Sequence, residues 1–179
     1  MADAWREPLA LKVPGCVLRA WRPGDEAALV RYANNRNVSR NLKDRFPFPY
    51  TAADAESWIE RAGAQNPPTT FAIALDDGVV GGVGVDLGAD VFRRSAEIGY
   101  WLGEPFWGRG IATEALGAMT EYAFAHFDIC RLEAGVFEWN PASARVLEKN
   151  GYVLEGRARL GVVKDGRLGD RLLYALVRP

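Results

Sequence analysis

Between Ala96 and Phe127 the chain joins a strand, a two-glycine turn and a helix with almost no linker between them. Ala96-Glu97-Ile98-Gly99-Tyr100-Trp101-Leu102 reads as the strand and Trp107-Gly108-Arg109-Gly110-Ile111-Ala112-Thr113 as the turn. Glu114 to Phe127 reads as the helix, with Leu116, Met119, Ala123 and Phe127 spaced for a buried face. A helix entered from such a turn leaves its first N–H groups unpaired at the positive end of the helix dipole. Glycine lets an anion approach that backbone with no side chain in the way. The spacing is not Gly-x-Gly-x-x-Gly, because position 113 is Thr, and no Gly-Lys-Ser/Thr follows. The turn therefore predicts a site for a phosphate or pyrophosphate without saying whose.

The rest of the chain supplies the scaffold. Cys16 to Trp21 reads as a first strand. Pro23-Gly24-Asp25 is a turn, with Asp25 placed to cap a helix that buries Ala27, Leu29, Val30 and Ala33. A second short helix is expected at about 36–42. Phe46-Pro47-Phe48-Pro49-Tyr50 is a stiff aromatic loop, and Thr51 caps a helix over about 52–63. Strands at 70–75 and 79–87 are joined by Asp76-Asp77-Gly78, a hairpin signal. Gly81, Gly82 and Gly84 in the return strand mark a bulge or a close backbone approach. A strand at roughly 93–103 feeds the glycine turn. A further strand follows at 131–138, then a helix opened by Asn140-Pro141 and closed by Asn150-Gly151. Residues 152–163 and 169–177 form a terminal hairpin around Lys164-Asp165-Gly166. Hairpins in the middle and at the end, with helical crossovers between, predict an α/β protein with a mixed sheet flanked by helices.

Length and composition close off other classes. The 179 residues suit one domain, residues 16–179, after a lead-in over 1–15 punctuated by Pro8, Pro14 and Gly15. A net charge of −1 gives no general case for nucleic acid. No apolar run approaches a membrane span, and Asp3, Arg6 and Glu7 leave no signal-peptide core, so a cytoplasmic protein is expected. Cys16 and Cys130 share no metal or redox spacing. One histidine, His126 at the end of its helix, cannot make a His-rich site, so no metal is expected.

The strand, the Phe106-Trp107-Gly108-Arg109-Gly110-Ile111-Ala112-Thr113-Glu114 run, Asn140-Pro141-Ala142-Ser143, Glu148-Lys149-Asn150-Gly151-Tyr152, Glu155-Gly156, Lys164-Asp165-Gly166 and Asp170 together resemble GCN5-related N-acetyltransferases (GNAT). The aromatic-proline loop at 46–50 fits their RimJ/RimL-like branch. The resemblance covers about residues 16–178. It implies a mostly antiparallel seven-stranded sheet, splayed between its fourth and fifth strands, and acetyl-CoA as donor. It places the pyrophosphate on Trp107, Gly108, Arg109, Gly110, Ile111, Ala112 and Thr113. Trp107 stands where the family motif more often has Gln or Arg. The pantetheine arm would run along Tyr100, Trp101 and Leu102 in the splay, with Asn140 and Ser143 beside it. For Asn140 an ordinary helix cap is the competing reading.

Amine acetylation needs a base for the amine and an acid for the departing thiolate. Glu97 is the candidate base or amine ligand, since it shares a strand face with Gly99 and Trp101 in an otherwise apolar strand. The plain alternative is a salt bridge to Arg93, Arg94 or an arginine of a neighbouring strand. Glu138 and Asp86 are weaker candidates. Many family members place a tyrosine acid where this chain has Leu147. The branch has a serine at Ser143, with Tyr100, Tyr152 and Tyr174 as further donors. The acceptor side is expected from residues 34–50, with Asn35, Phe46, Phe48 and Tyr50 beside Glu97. These features imply a monomeric or homodimeric N-acetyltransferase acting on a primary amine. A protein N-terminal α-amine comes ahead of a small-molecule amine (antibiotic, polyamine or amino acid). A non-catalytic acyl-CoA-binding sensor is the alternative of another class.

Overall fold

The computed structural model describes residues 11–178, so residues 1–10 of the expected lead-in lie outside the described residues. The elements run β1 (Leu11–Val13), β2 (Cys16–Arg19), α1 (Glu26–Ala33), α2 (Arg36–Ser39), α3 (Ala52–Gly63), β3 (Thr70–Leu75), β4 (Gly78–Leu87), β5 (Ser95–Leu102), α4 (Ile111–His126), β6 (Arg131–Phe137), α5 (Pro141–Lys149), β7 (Val153–Lys164) and β8 (Arg167–Val177). They build one sheet in the order β1-β2-β3-β4-β5-β6-β8-β7. The seven expected strands are all present. The lead-in adds a short eighth, β1, paired antiparallel with β2.

All neighbours are antiparallel except β5 and β6, which the α4 crossover makes parallel. Their pairing is brief: Ser95, Ala96 and Glu97 face Arg131, Leu132 and Glu133, and then the strands part. Beyond Glu97 the β6-side edge of β5 has no strand partner. That opening is the splay, and the candidate site residues lie around it.

Two cores cover the two faces of the sheet. On one face Phe71, Ile73, Ile98, Leu102 and Leu132 pack against Leu116 and Met119 of α4 and Leu147 of α5. On the other face Trp21, Ala72 and Val79 pack against Leu29 and Ala33 of α1 and Ala55 and Ile59 of α3. The alternation along β5 decides which side each residue serves: Ile98 and Leu102 enter the first core, and Trp101 packs on the second.

Local chemistry explains the element ends. Thr51 and Asp54 form a reciprocal capping box at α3, and the Asn140 side chain accepts from Ser143 N at α5. Asp25 stands at the start of α1 but does not cap it with its side chain. Its carboxylate is taken instead by Arg19, at 2.7 and 2.8 Å, and by Arg22 N at 3.1 Å. A charged guanidinium outcompetes a neutral helix N–H for a carboxylate. The expected 36–42 helix is a single short turn, α2.

The glycines of β4 mark close approach. A methyl at Gly82 would lie 2.9 Å from both the Trp101 Nε1 and the Trp21 ring. Gly82→Ala is therefore expected to destabilise the fold by about 1–3 kcal/mol through overpacking, read as a lower urea midpoint by tryptophan fluorescence.

Candidate active site

The glycine turn has the geometry of an anion cradle. Gly108 and Gly110 adopt φ of 74° and 81°, which non-glycine residues reach only at a cost, and nothing lies within 4 Å of where their side chains would start. Thr113 N and Glu114 N close onto the Gly110 carbonyl. The N–H groups of Gly108, Arg109, Gly110, Ile111 and Ala112 take no backbone or side-chain acceptor among the described residues. They stand at the positive end of the 16-residue helix α4. The Trp107 indole donates to Leu102 O at 2.7 Å, which fixes the turn to the end of β5. Arg109 lies over the Phe106 ring, at 5.7 Å from its centroid. The cradle is also locked to α5. Asn150 Nδ2 donates to Thr113 O at 3.1 Å and to Val146 O at 2.9 Å, and Gly117 makes room for the Asn150 side chain.

Across the splay from β5 stands the first turn of α5. The Tyr100 hydroxyl lies 2.7 Å from Ser143 Oγ and 3.1 Å from the Ser143 carbonyl, so the two hydroxyls form one hydrogen-bonded pair. Burial pushes the Tyr100 hydroxyl up to about 12, against the opposing pull of the Ser143 hydrogen bond. It stays a proton donor through the neutral range. Tyr152 and Tyr174 are committed elsewhere, to Thr120 at 2.8 Å and to Glu148 at 2.9 Å. Leu147 is fully buried in the core. Asn140 uses its carbonyl oxygen as the α5 cap, and its Nδ2 has no acceptor among the described residues.

Glu97 occupies the opposite face, at the last residue pair before the strands part. Its carboxylate is held by Lys43 Nζ at 2.6 and 2.7 Å, with Arg171 Nη2 at 3.6 Å. The expected alternative partners, Arg93 and Arg94, are not used: Arg94 pairs with Asp128, and Arg93 reaches the Asp90 carbonyl. A cleft of about 260 Å³ is walled by Leu42, Lys43, Phe137, Gly161–Val163 and Arg171, with Asp44 and Lys164 joined at 2.6 Å on its rim; Glu97 is not in its wall but is held by two residues that are, Lys43 and Arg171. The competing carboxylates are engaged in ion pairs: Asp86, the cross-strand partner of Glu97 on β4, with Arg45, and Glu138 with Arg157.

The expected acceptor residues divide. Phe46 packs on Trp101 and Tyr50, with ring centroids 5.4 and 5.1 Å away. Tyr50 is buried in the α1–α3 core. Phe48 is exposed under the Arg36 guanidinium. Asn35 caps α2 and donates to Glu104 at 2.7 Å, so its amide is engaged at both ends. Lys43 and the 161–163 stretch have no counterpart among the expected residues; Arg171, on β8 beyond β6, answers the expected strand arginine paired with Glu97. Arg171 pairs in register with Phe137 while its side chain lies against Gly135, two positions along β6, a meeting set by the sheet register and unmarked in the sequence. Among the described residues no group of three His, Cys, Asp or Glu side chains is placed to hold a metal, and no helix is long and apolar enough to cross a membrane.

A sheet opened beside an N–H cradle, with a carboxylate at the start of the opening, suits a donor that carries both an anion and an extended arm. The chain belongs to the GNAT acetyltransferase family: the family's model, described as an acetyltransferase (GNAT) domain, matches residues 16–153. It is 39% identical over 106 residues to "Probable N-acetyltransferase YjcK" of Bacillus subtilis, and 30% identical over 107 residues to the ribosomal-protein-serine acetyltransferase of Escherichia coli. These alignments cover 59% and 60% of this chain and 59% of each relative's own length. The crystallised Mycobacterium smegmatis RimJ, in complex with CoA-disulfide, superposes with a TM-score of 0.81 at 28% identity, covering 99% of this chain and 90% of that one.

Proposed function

We propose that this chain moves the acetyl group of acetyl-CoA to a primary amine by direct transfer, with a protein N-terminal α-amine as the leading acceptor. One observation carries the reading: Glu97 stands at the last residue pair before the sheet opens, and the Tyr100–Ser143 pair bridges β5 to α5 beyond it, on the strand that feeds the N–H cradle. Five unpartnered N–H groups at a helix N-terminus suit a pyrophosphate, and the unpaired edge of β5 at Tyr100–Leu102 suits an amide-bearing arm. Asn140 Nδ2 is the free donor beside it. The donor supplies a thioester carbonyl that an amine can attack.

The residues of the chain handle the protons. Glu97 takes one from the acceptor amine, directly or through a water molecule, as nitrogen bonds to the carbonyl carbon. The Tyr100–Ser143 pair gives one to the sulfur as the carbon–sulfur bond breaks. An incoming amine must share or displace Lys43 at Glu97. An α-amine, with a pKa of about 7.7–8, is far closer to neutral than a lysine at about 10.4 and so needs less help. The E. coli relative named for a ribosomal-protein serine supports a protein as acceptor, and the complex of RimJ with a coenzyme A disulfide supports the donor.

Thiol release from acetyl-CoA over a panel of N-terminal peptides, polyamines and amino acids is the direct test. Tight coenzyme binding with no release on any amine would replace the enzyme with a sensor module. The pH profile follows from the site. For an α-amine acceptor, kcat/KM should climb from about pH 6 to about 8 as the amine deprotonates. Tyr100 keeps its proton to about 12, so no alkaline fall is expected near 10.0, where an ordinary tyrosine would titrate. A fall with its midpoint at or below that value would exclude Tyr100 as the acid.

A further inference from the structure

The acceptor cleft holds one cation more than it can neutralise, and the surplus is Arg171. This residue sits on β8 and crosses β6 to reach Glu97 on β5, three strands in one line. It crosses at Gly135, where any Cβ would collide with the guanidinium. The glycine is therefore a window cut for this side chain. Yet the contact at the end of that path is only 3.6 Å, and the closer hydrogen bonds to Glu97 belong to Lys43. Arg171 makes no hydrogen bond among the described residues, although its donors form a fork suited to a carboxylate.

No neighbouring carboxylate is free to serve it. Asp44 is held by Lys164, Asp86 by Arg45, Glu133 by Arg131, and both Glu138 and Asp170 by Arg157. Lys43 and Arg171 thus share a single anion, Glu97. An acceptor amine entering as a cation adds a third positive charge against that same anion. A second carboxylate arriving with the acceptor would restore the balance.

We propose that Arg171, with Lys43 beside it, is the subsite for a carboxylate carried close to the acceptor's amine, so that the enzyme selects acceptors bearing both groups. This rests on the cleft being the acceptor site. The carboxylate can be the α-carboxylate of a free amino acid or an acidic side chain next to a peptide's N-terminus. Both place an anion a few bonds from the nitrogen.

The test compares matched acceptors in two arms. One arm uses peptides identical except for Asp or Asn at the second residue, and the other uses an amino acid and its decarboxylated amine. In at least one arm KM for the carboxylate-bearing partner should be lower by about tenfold or more, the scale of a charged hydrogen bond. The arm that shows it identifies the source. Arg171→Gln should erase that preference, bringing the KM ratio of the matched partners to within about threefold of one, as the charged contact is lost. Gly135→Ala, which blocks the window, should erase it too. Turnover with no preference in either arm would overturn the proposal and leave the acetyltransferase reading standing. A preference that survives Arg171→Gln would overturn it as well. An equal loss on both partners would make Arg171 a support for Glu97 instead. Absence of turnover on every acceptor would remove both readings.

Discussion

Glu97→Gln is expected to lower kcat by about a hundredfold to ten-thousandfold, the range of a lost general base, while the Kd for coenzyme A stays within about twofold, because the contacts removed are not donor contacts. The substitution keeps shape and removes charge. Lys43 and Arg171 can still pack against the amide, so the loss reports the carboxylate and not a collapse of the cleft. Glu97 faces away from the core that holds α4 and α5, so the cradle and the Tyr100–Ser143 pair have no reason to move. The neutral α-amine should be penalised less as pH rises, since free amine in solution increasingly needs no base. Single-turnover rates from pH 6.5 to 9 (a span of about one unit either side of the amine's own pKa), with coenzyme binding measured by calorimetry, give both halves. A wild-type rate would remove Glu97 from the chemistry.

The second large effect belongs to the turn. Gly110→Asp should weaken coenzyme A by at least about tenfold relative to Gly110→Asn. Asn and Asp are the non-glycine residues that best tolerate positive φ, and they have nearly the same shape. The space beyond Gly110 is open, so neither side chain is excluded by contact. What differs is a carboxylate beside the position of an incoming anion. Like charges about 5 Å apart at an effective dielectric of about 20 repel by about 3 kcal/mol before screening. The gap between the two variants should shrink as salt is added. Equal affinities would mean that the anion does not sit on this turn.

The features legible in the sequence are those built from contiguous residues. Strand, turn and helix around Gly108 and Gly110 lie within one short stretch, and local rules of backbone and dipole are enough to read them. The caps at Thr51 and Asn140 are local too. Asp25 fails the same logic because Arg19, also nearby, offers its carboxylate a stronger bond. The acceptor side resists for another reason. Lys43 and Glu97 lie 54 residues apart, and Arg171 arrives from a strand that joins the sheet last in the chain. No period or spacing links a lysine in a loop, a glutamate at the start of a splay and an arginine threaded over a glycine. Aromatic residues in the 46–50 loop attract notice by composition. Yet Tyr50 serves the core and Phe48 the surface, and the charged residues just before them, Lys43 and Asp44, face the cleft.

The bond from Asn150 to both Thr113 and Val146 has a metric consequence. It ties the first turn of α4 to the last turn of α5, with the N–H cradle at one end of the pair and Ser143 at the other. A donor gripped at its pyrophosphate can then bring its sulfur to the Tyr100–Ser143 hydroxyls only if the arm between has the matching length. On the proposed function, the pair of helices would work as a caliper for the length of the donor's arm.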